Sequence, residues 1–565
     1  MDMVVARGRA VRMAPWLALT GMFPWLACAQ SVTPDTQEQR ERAEREAHQR
    51  EREREAPDVR LGSPGTGDFH RIDLPREQAC FTLRSIHLQG EQANSFGFIQ
   101  RYLDTYAGRC VGPAGINLIA RRAGELAIDR GYVTTRIGVT PQSIANGTLV
   151  LTIVPGTIAS IRDDDAARGG HWRSALPMRP GALLNLRDIE QALEQFKRVP
   201  SQDVDIDIAP GDQPGESILV IKRRRTRPWR MIATLDDSGT RATGRGQAGA
   251  TLAVDNPLGA NDLLSLGYNR NAPASRDKAT QGLSGNYSMP WGNWLFSASF
   301  YGYRYRQTIT GSAQSFSSRG TSRSTDVSAQ RLLHRSRSSK TTLALRVGKR
   351  WAHSYIEDVE LDTQRRNTTM AELSVSQRQY LGNAQLDLRL AQRKGVHWFG
   401  GMRDPGGQHP DSPRFGYALT VLDASLYVPF RLGRRSVQWT SEFHAQRSPH
   451  TLYGSEFIAI GGRYTVRGFD GEQTLAAERG WYWRNTWSLP AERWPLAFYA
   501  GLDNGHVGGP SGRQLGHKSL AGGFLGARGQ LGRLSWDAFA GWSLRGGRQL
   551  DSMRPATGIS LTYVY

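Results

Sequence analysis

Arg467 is the side chain whose setting asks most of the rest of the chain. It stands in Gly461-Gly462-Arg463-Tyr464-Thr465-Val466-Arg467-Gly468-Phe469-Asp470, close to the apolar Val466 and Phe469. On an outward-folded loop such a cation is an ordinary solvated charge. Folded into a closed interior it needs a carboxylate partner. Asp503, in Gly501-Leu502-Asp503-Asn504-Gly505, offers one, although spacing alone does not pair the two. The glycines of the first stretch permit close backbone approach. Nothing else suggests covalent chemistry. The sequence has no HExxH, no Walker A and no G-x-S-x-G. Gly244-Arg245-Gly246-Gln247-Ala248-Gly249 fits G-x-G-x-x-G but opens a strand without a βαβ setting, so it reads as turn glycines. The 12 histidines are scattered without ligand spacing. We therefore expect no catalytic residue, no metal, no cofactor and no enzyme. The basic run Lys222-Arg223-Arg224-Arg225 with Arg227 reads as a solvated strand end, or a rim facing acidic lipid or an acidic partner, and no nucleic acid is expected.

The elements that must carry Arg467 and Asp503 follow from composition and period. The chain has 565 residues, a formal net charge of +20 and 39% hydrophobic residues. Its mean hydropathy is −0.49. These values exclude a bundle of spanning helices, and beyond residue 30 no run of about 18 apolar residues occurs. They leave open a membrane β-barrel, whose wall alternates apolar and polar. From Met231 onward that alternation recurs. Leu343, Leu345 and Val347 alternate with Ala344, Arg346 and Gly348, and Leu386, Leu388 and Leu390 with Gln385, Asp387 and Arg389. Val437, Trp439 and Phe443 alternate with Gln438, Thr440, Glu442 and His444. A soluble sandwich seldom carries such dense charge opposite its apolar face, whereas lipid outside and water inside demand it. Such a sheet must close, because lipid cannot satisfy an open edge. Arg467 then lies in a connection of some thirty residues between spanning strands, a length that is usually functional.

Ahead of this region the chain is modular. Arg7, Arg9 and Arg12, an apolar core from Met13 to Leu26 and the small residues Ala27-Cys28-Ala29 read as an export signal over 1–29. Cleavage leaves two cysteines, Cys80 and Cys110, either bridged in an oxidising compartment or buried as free thiols. Residues 33–56 are nearly all Glu, Arg, Gln and Ala and predict a helix with no apolar stripe. That helix is either a solvated arm or a polar rod of about 30 Å suited to a water-filled barrel. A Pro/Gly linker spans 57–78. Two small mixed units follow, 79–155 and 156–227. In the first, strands are expected over Cys80–Leu88, Val133–Val139 and Thr148–Val154, with helices over Phe96–Tyr106 and Ile116–Asp129. In the second, Leu186–Arg198 is a helix, and Val204–Ile208 and Ser217–Lys222 form a hairpin.

These stretches resemble a family. Arg130-Gly131-Tyr132-Val133-Thr134-Thr135-Arg136, Gln213-Pro214-Gly215-Glu216-Ser217, Asp255-Asn256-Pro257-Leu258-Gly259 and Gly461 to Phe469 are similar to the outer-membrane transporters of two-partner secretion, the haemolysin secretion/activation type. The resemblance implies a plug helix, two periplasmic POTRA modules and an all-β transmembrane barrel of about sixteen antiparallel strands over 228–565. It implies a lumenal loop at about 447–478, whose Val466, Arg467, Gly468 and Phe469 carry the motif and whose arginine pairs with Asp503 on the wall. It also implies a Cys80–Cys110 disulfide and a terminal assembly signal ending in Tyr563 and Tyr565. The expected partners are one secreted exoprotein with an N-terminal secretion domain, outer-membrane lipids, and the barrel-assembly machinery during biogenesis. The expected function is export of that exoprotein, unfolded, to the cell surface without ATP. An insertase that assembles other barrels shares the loop motif, and a passive porin would not need the modules.

Overall fold

The computed structural model describes residues 34–55, 57–62, 67–164, 171–275, 277–310, 314–546 and 555–565. The expected export signal lies outside them. Helix α1 (Pro34–Glu55) is 22 residues long, about 33 Å. Pairs one turn apart, Arg42 with Glu46 at 3.0 Å and Glu41 with Arg45 at 3.7 Å, support it in place of an apolar stripe.

Sixteen spanning strands close into one antiparallel barrel among the described residues, from Trp229–Asp236 to Ala556–Val564. The wall inverts the soluble pattern. Leu235, Leu345, Leu373, Leu390 and Leu525 are each more than half exposed, because their face points outward. The alternate residues point inward and pair there: Arg346 with Asp326 at 2.9 Å, Arg389 with Asp423 at 3.0 Å, Arg393 with Glu372 at 2.7 Å. The first and last strands close the cylinder over a short register, Asp236 opposite Ser560 to Ile232 opposite Val564. Asp237 extends that seam by accepting the Ile559 N–H at 2.9 Å.

Both N-terminal units are three-stranded sheets covered by helices. In the first, Ser85–Gln89 runs parallel to Thr148–Val154, which pairs antiparallel with Arg136–Val139. Helices α2 (Gly97–Leu103) and α3 (Pro113–Asp129) bury Phe96, Ile99, Leu103 and Ile119 against Leu149 and Leu151. Glu77 accepts the N–H groups of Gly112, Ala114 and Gly115 at the start of α3. The Gly115 bond, with help from the other two, holds its carboxyl below the usual range despite partial desolvation. In the second unit Thr157–Asp163 runs parallel to Glu216–Arg225, which pairs with Gln202–Pro210. Helix α4 (Leu186–Lys197) packs Ile189, Leu193 and Phe196 on that sheet.

Several expected elements differ in detail. Cys80–Leu88 is not one strand, because Leu83 and Arg84 turn their N–H groups to Arg109 and Gly147. It splits into Phe81–Thr82 and Ser85–Gln89. Phe96–Tyr106 contains only a short α-helix, continued by a 3-10 turn. The strand expected from Val133 begins at Arg136, since the N–H groups of Tyr132, Val133 and Thr135 bond back to the helix end and its turn. The basic run is not simply solvated. Arg223 is buried and pairs with Asp163, Nε to Oδ1 at 3.0 Å, while Lys222 pairs with Asp207 at the surface.

Candidate functional site: a loop and a helix filling the lumen

The connection between strands Arg435–Arg447 and Arg479–Pro490 folds into the barrel. Its stem is a short hairpin, Ile458–Ile460 against Leu475–Ala477. Val466 and Phe469 pack with Ile460, Leu475, Val507 and Leu520 in a small apolar cluster inside the otherwise polar lumen. This cluster accounts for the apolar neighbours of Arg467: they dock the loop tip on the wall.

Arg467 then reaches Asp503. Its Nε and Nη2 donate to the two carboxylate oxygens at 2.7 and 2.8 Å, and its main-chain N–H adds a third bond at 2.9 Å. The guanidinium also donates to Thr486 Oγ1 at 3.0 Å and lies 3.6 Å from the Phe524 ring centre. Asp503 is 1% exposed. A planar two-pronged pair closed by a ring face suits arginine and no other side chain. Glycines set the distance. Gly468 has φ of +110°, and a Cβ there would meet the Trp542 carbonyl oxygen at 2.4 Å. A Cβ on Gly522 would sit 1.8 Å from the Arg467 carbonyl oxygen.

Helix α1 lies in the same lumen, and the loop forms much of its seat. Arg42 donates to the Ser455 carbonyl at 3.1 Å and pairs with Glu456 at 3.2 Å. Glu456 is a hub that also meets Arg350 at 3.2 Å and Arg393 at 3.7 Å from the wall. Gln39 donates to the Gly454 carbonyl at 2.8 Å, and Tyr464 donates to Glu44 at 3.1 Å. On the opposite side Arg45 stacks 4.4 Å from the Tyr301 ring, and Arg50 donates to the Tyr482 hydroxyl at 2.8 Å. Every described contact of α1 named here is polar or cation–π. Beside the helix a cavity of about 420 Å³ remains, with Arg50, Glu372 and Asp423 in its lining.

A collar of ion pairs lies at the periplasmic end. Arg335, at a strand end, pairs with Glu190 at 3.0 Å and Glu194 at 2.7 Å on α4. Lys340 also pairs with Glu194. The same carboxylates hold the chain leaving α1: Leu61 N–H donates to Glu190 at 2.7 Å and Val59 N–H to Glu194 at 3.2 Å. Burial pushes the Glu194 carboxyl up, and the Arg335 and Lys340 contacts more than reverse this, leaving it below its ordinary value.

The structure thus brings Val466, Arg467, Gly468, Phe469 and Asp503 together. Cys80 and Cys110 form a disulfide in the first module, remote from the lumen, with Cα atoms 5.3 Å apart. Tyr563 pairs with Ala233 at the seam, and the Tyr565 ring lies tilted 6.1 Å from that of Trp229 with Arg227 4.6 Å from its centre. Sequence reasoning missed Glu456, Phe524, Thr486 and the whole collar. Gly522 and Gly541, where an added Cβ would meet the main chain of Arg467 and Gly468, are the local signal that could have shown a close crossing of the wall.

Comparison with known proteins agrees with this architecture. Residues 215–529 match the family described as haemolysin secretion/activation protein ShlB/FhaC/HecB. Residues 81–156 match a ShlB-type POTRA domain and 157–210 a POTRA domain. The chain is 38% identical to the outer membrane transporter CdiB-2 of Burkholderia pseudomallei over 97% of its length and 98% of the relative's. It is 29% identical to the hemolysin transporter protein ShlB of Serratia marcescens over 74% of the chain and 73% of that protein. Among solved structures, CdiB from Escherichia coli superposes with a TM-score of 0.84 at 26% identity, covering 94% of this chain and 99% of that one.

Proposed function

The chain belongs to the haemolysin secretion/activation family of two-partner secretion transporters, outer-membrane barrels with periplasmic POTRA modules, and from that premise we propose how it moves its client. One large exoprotein is recognised in the periplasm, threaded unfolded through the barrel and released at the cell surface. The modules capture its N-terminal secretion domain, in part by adding extended chain to an open sheet edge such as Arg136–Val139. Helix α1 then leaves the lumen. Folding of the client outside makes exit irreversible by mass action, so no ATP is consumed.

The observation that carries this reading is the chemistry of the plug. Its described contacts are charged and polar, so water can replace each one as the helix withdraws, and the bound state need not be deep. The Arg467–Asp503 pair, in contrast, is buried and is proposed to hold the loop in register while α1 moves. The insertase alternative has less support, because the relatives are named as transporters. Arg467→Ala should leave the barrel inserted yet lower client secretion by roughly ten-fold or more, as expected when one partner of a buried pair is lost. Secretion at the normal level, with the variant inserted, removes the loop from the mechanism.

A further inference from the structure

The outer face of the wall carries a feature that export does not use. Arg304, Arg306, Arg323 and Lys394 are exposed. Register shows that they point to the lipid side. Directly opposed residues share a face. Gly302 lies opposite Arg323, and on the same face of its strand are Phe296 and Phe300, both exposed. Arg323 continues along its own strand to Val327, which is 57% exposed. Lys394 lies opposite Ala371, two positions from outward Leu373, and four positions from outward Leu390.

The four cations stand near one level. Arg304 and Lys394 are eleven positions beyond the periplasmic turn residues Asn293 and Asn383, and Arg323 is thirteen before Ser336. A tilted strand climbs about 2.5 Å per residue, so the cations sit roughly 27–33 Å up, just above an apolar band of about 25 Å. That is the height of the outer-leaflet headgroups. Nearby carboxylates are already engaged: Asp358 with Arg319 at 2.8 Å and Glu360 with His353 at 2.8 Å. Among the described residues no ion pair involves Arg304, Arg306, Arg323 or Lys394. Exposed cations also end outward rows further round the barrel: Arg447 lies opposite Thr420, two positions from outward Leu422, and Arg479 lies two positions from outward Trp481.

A second observation points to lipid. The turn Trp398–Gly400 is clamped to the outside of the wall beside Lys394. Lys349 donates to the Phe399 carbonyl at 3.0 Å, Thr369 to that of Trp398 at 2.8 Å and Asn367 to that of Gly400 at 3.1 Å. Phe399 is held at φ of +54° and is 77% exposed. A bulky residue in the left-handed region, kept there by three outward side chains and presenting its ring to the surroundings, is strain with a use. At this height the use is anchorage at the headgroup level, beside the cations.

We propose that this patch binds the phosphate groups of the phosphorylated glycolipid that fills the outer leaflet, with Trp398 and Phe399 packed beside those headgroups. Arginine and lysine at a membrane surface attract anionic headgroups, and arginine grips phosphate through two N–H groups.

The test uses the full chain in detergent, with bound lipid counted by native mass spectrometry during titration with bisphosphorylated lipid A. The fourfold variant Arg304→Gln, Arg306→Gln, Arg323→Gln, Lys394→Gln should lose affinity by roughly ten-fold or more. A companion carrying Arg→Lys at 304, 306 and 323 should keep most of it. Lipid A stripped of phosphate should bind the unaltered chain more weakly, and inorganic phosphate should compete poorly. Heat-modifiable gel mobility checks that each variant is folded, and the comparison between lipids needs no variant at all. Equal affinity for phosphorylated and stripped lipid overturns the proposal, as does undiminished binding by the folded glutamine variant or loss of binding in the lysine companion. Effective competition by inorganic phosphate makes it a free-anion site and equally sinks the lipid reading.

Discussion

At the scale of single residues, the site depends on how Arg467 meets Asp503, beyond the charges alone. Asp503 takes a main-chain N–H as well as the guanidinium, and the guanidinium lies on the Phe524 ring. Lysine keeps the charge but loses the two-pronged geometry and the stacking. Arg467→Lys should therefore secrete at a level between the unaltered chain and Arg467→Ala. Gly522→Ala separates position from charge. Its Cβ would sit 1.8 Å from the Arg467 carbonyl, so the loop must lift off the wall with both ionic partners intact. We expect that variant to show faster protease cleavage near residues 461–471 in intact outer membranes and secretion as low as Arg467→Ala. Unchanged cleavage and secretion would mean that the close approach is dispensable.

At the scale of elements, helix α1 in the lumen and the collar at its periplasmic end each have their own measurement. Removing residues 34–55 should raise single-channel conductance in planar bilayers, because the helix occupies the lumen; an unchanged conductance would show that it does not obstruct ion flow. The collar predicts a different effect. Arg335→Ala removes a cation shared by buried Glu190 and Glu194, which keep Arg187 and Lys340, a loss of up to about 3 kcal/mol for a well-buried pair. Hydrogen exchange should then speed up in α4 and in residues 57–62 together, since both are held by the same carboxylates. The pH dependence has a fixed sign. Glu194 has a lowered carboxyl pKa when docked, so its contribution is complete above the ordinary carboxylate range and is lost as pH falls through the docked value, below about 4.5. Exchange in α4 that slows on acidification would contradict the assignment. The collar also shows where sequence reading stopped. The barrel was legible because lipid and water impose a period of two over every strand; the loop's residues left an outward and a lumenal fold open, and only the resemblance of Gly461 to Phe469 to the transporter family implied the lumenal one. Glu456, Glu190 and Glu194 gave no such signal. Each is an ordinary carboxylate on a polar stretch, and its partners, Arg42 and Arg335, lie 414 and more than 140 residues away. Chain closure brings them together, and no local pattern encodes that. The broken strand at Leu83 was hidden for the same reason: its N–H partner is Arg109, supplied by a distant turn.

At the scale of the whole molecule, the plug, the loop and the collar are linked in series. The loop seats α1 through Glu456 and Gly454; the segment that follows α1 is held by α4; and α4 is pinned to the wall by Arg335. A client that shifts the second module on docking disturbs the tether of the plug without touching the plug. The polar character of α1 then lets it move out, since the lumen it leaves is lined by groups that water satisfies. The proposed sequence of events requires that α1 separate from the loop before the client passes. Cysteines placed at Gln39 and Gly454, whose side chain and carbonyl are 2.8 Å apart, should cross-link the two. The cross-linked fraction is read by gel mobility. We expect secretion to stop in proportion to that fraction and to resume on mild reduction, while the barrel stays inserted throughout. Reduction also opens the Cys80–Cys110 bond, so a Cys80→Ser, Cys110→Ser background isolates the engineered link. Undiminished secretion with the plug covalently held to the loop would mean that the client passes with α1 still in the barrel, and the lumen left beside the helix, about 420 Å³ in one cavity, gives such a path little room.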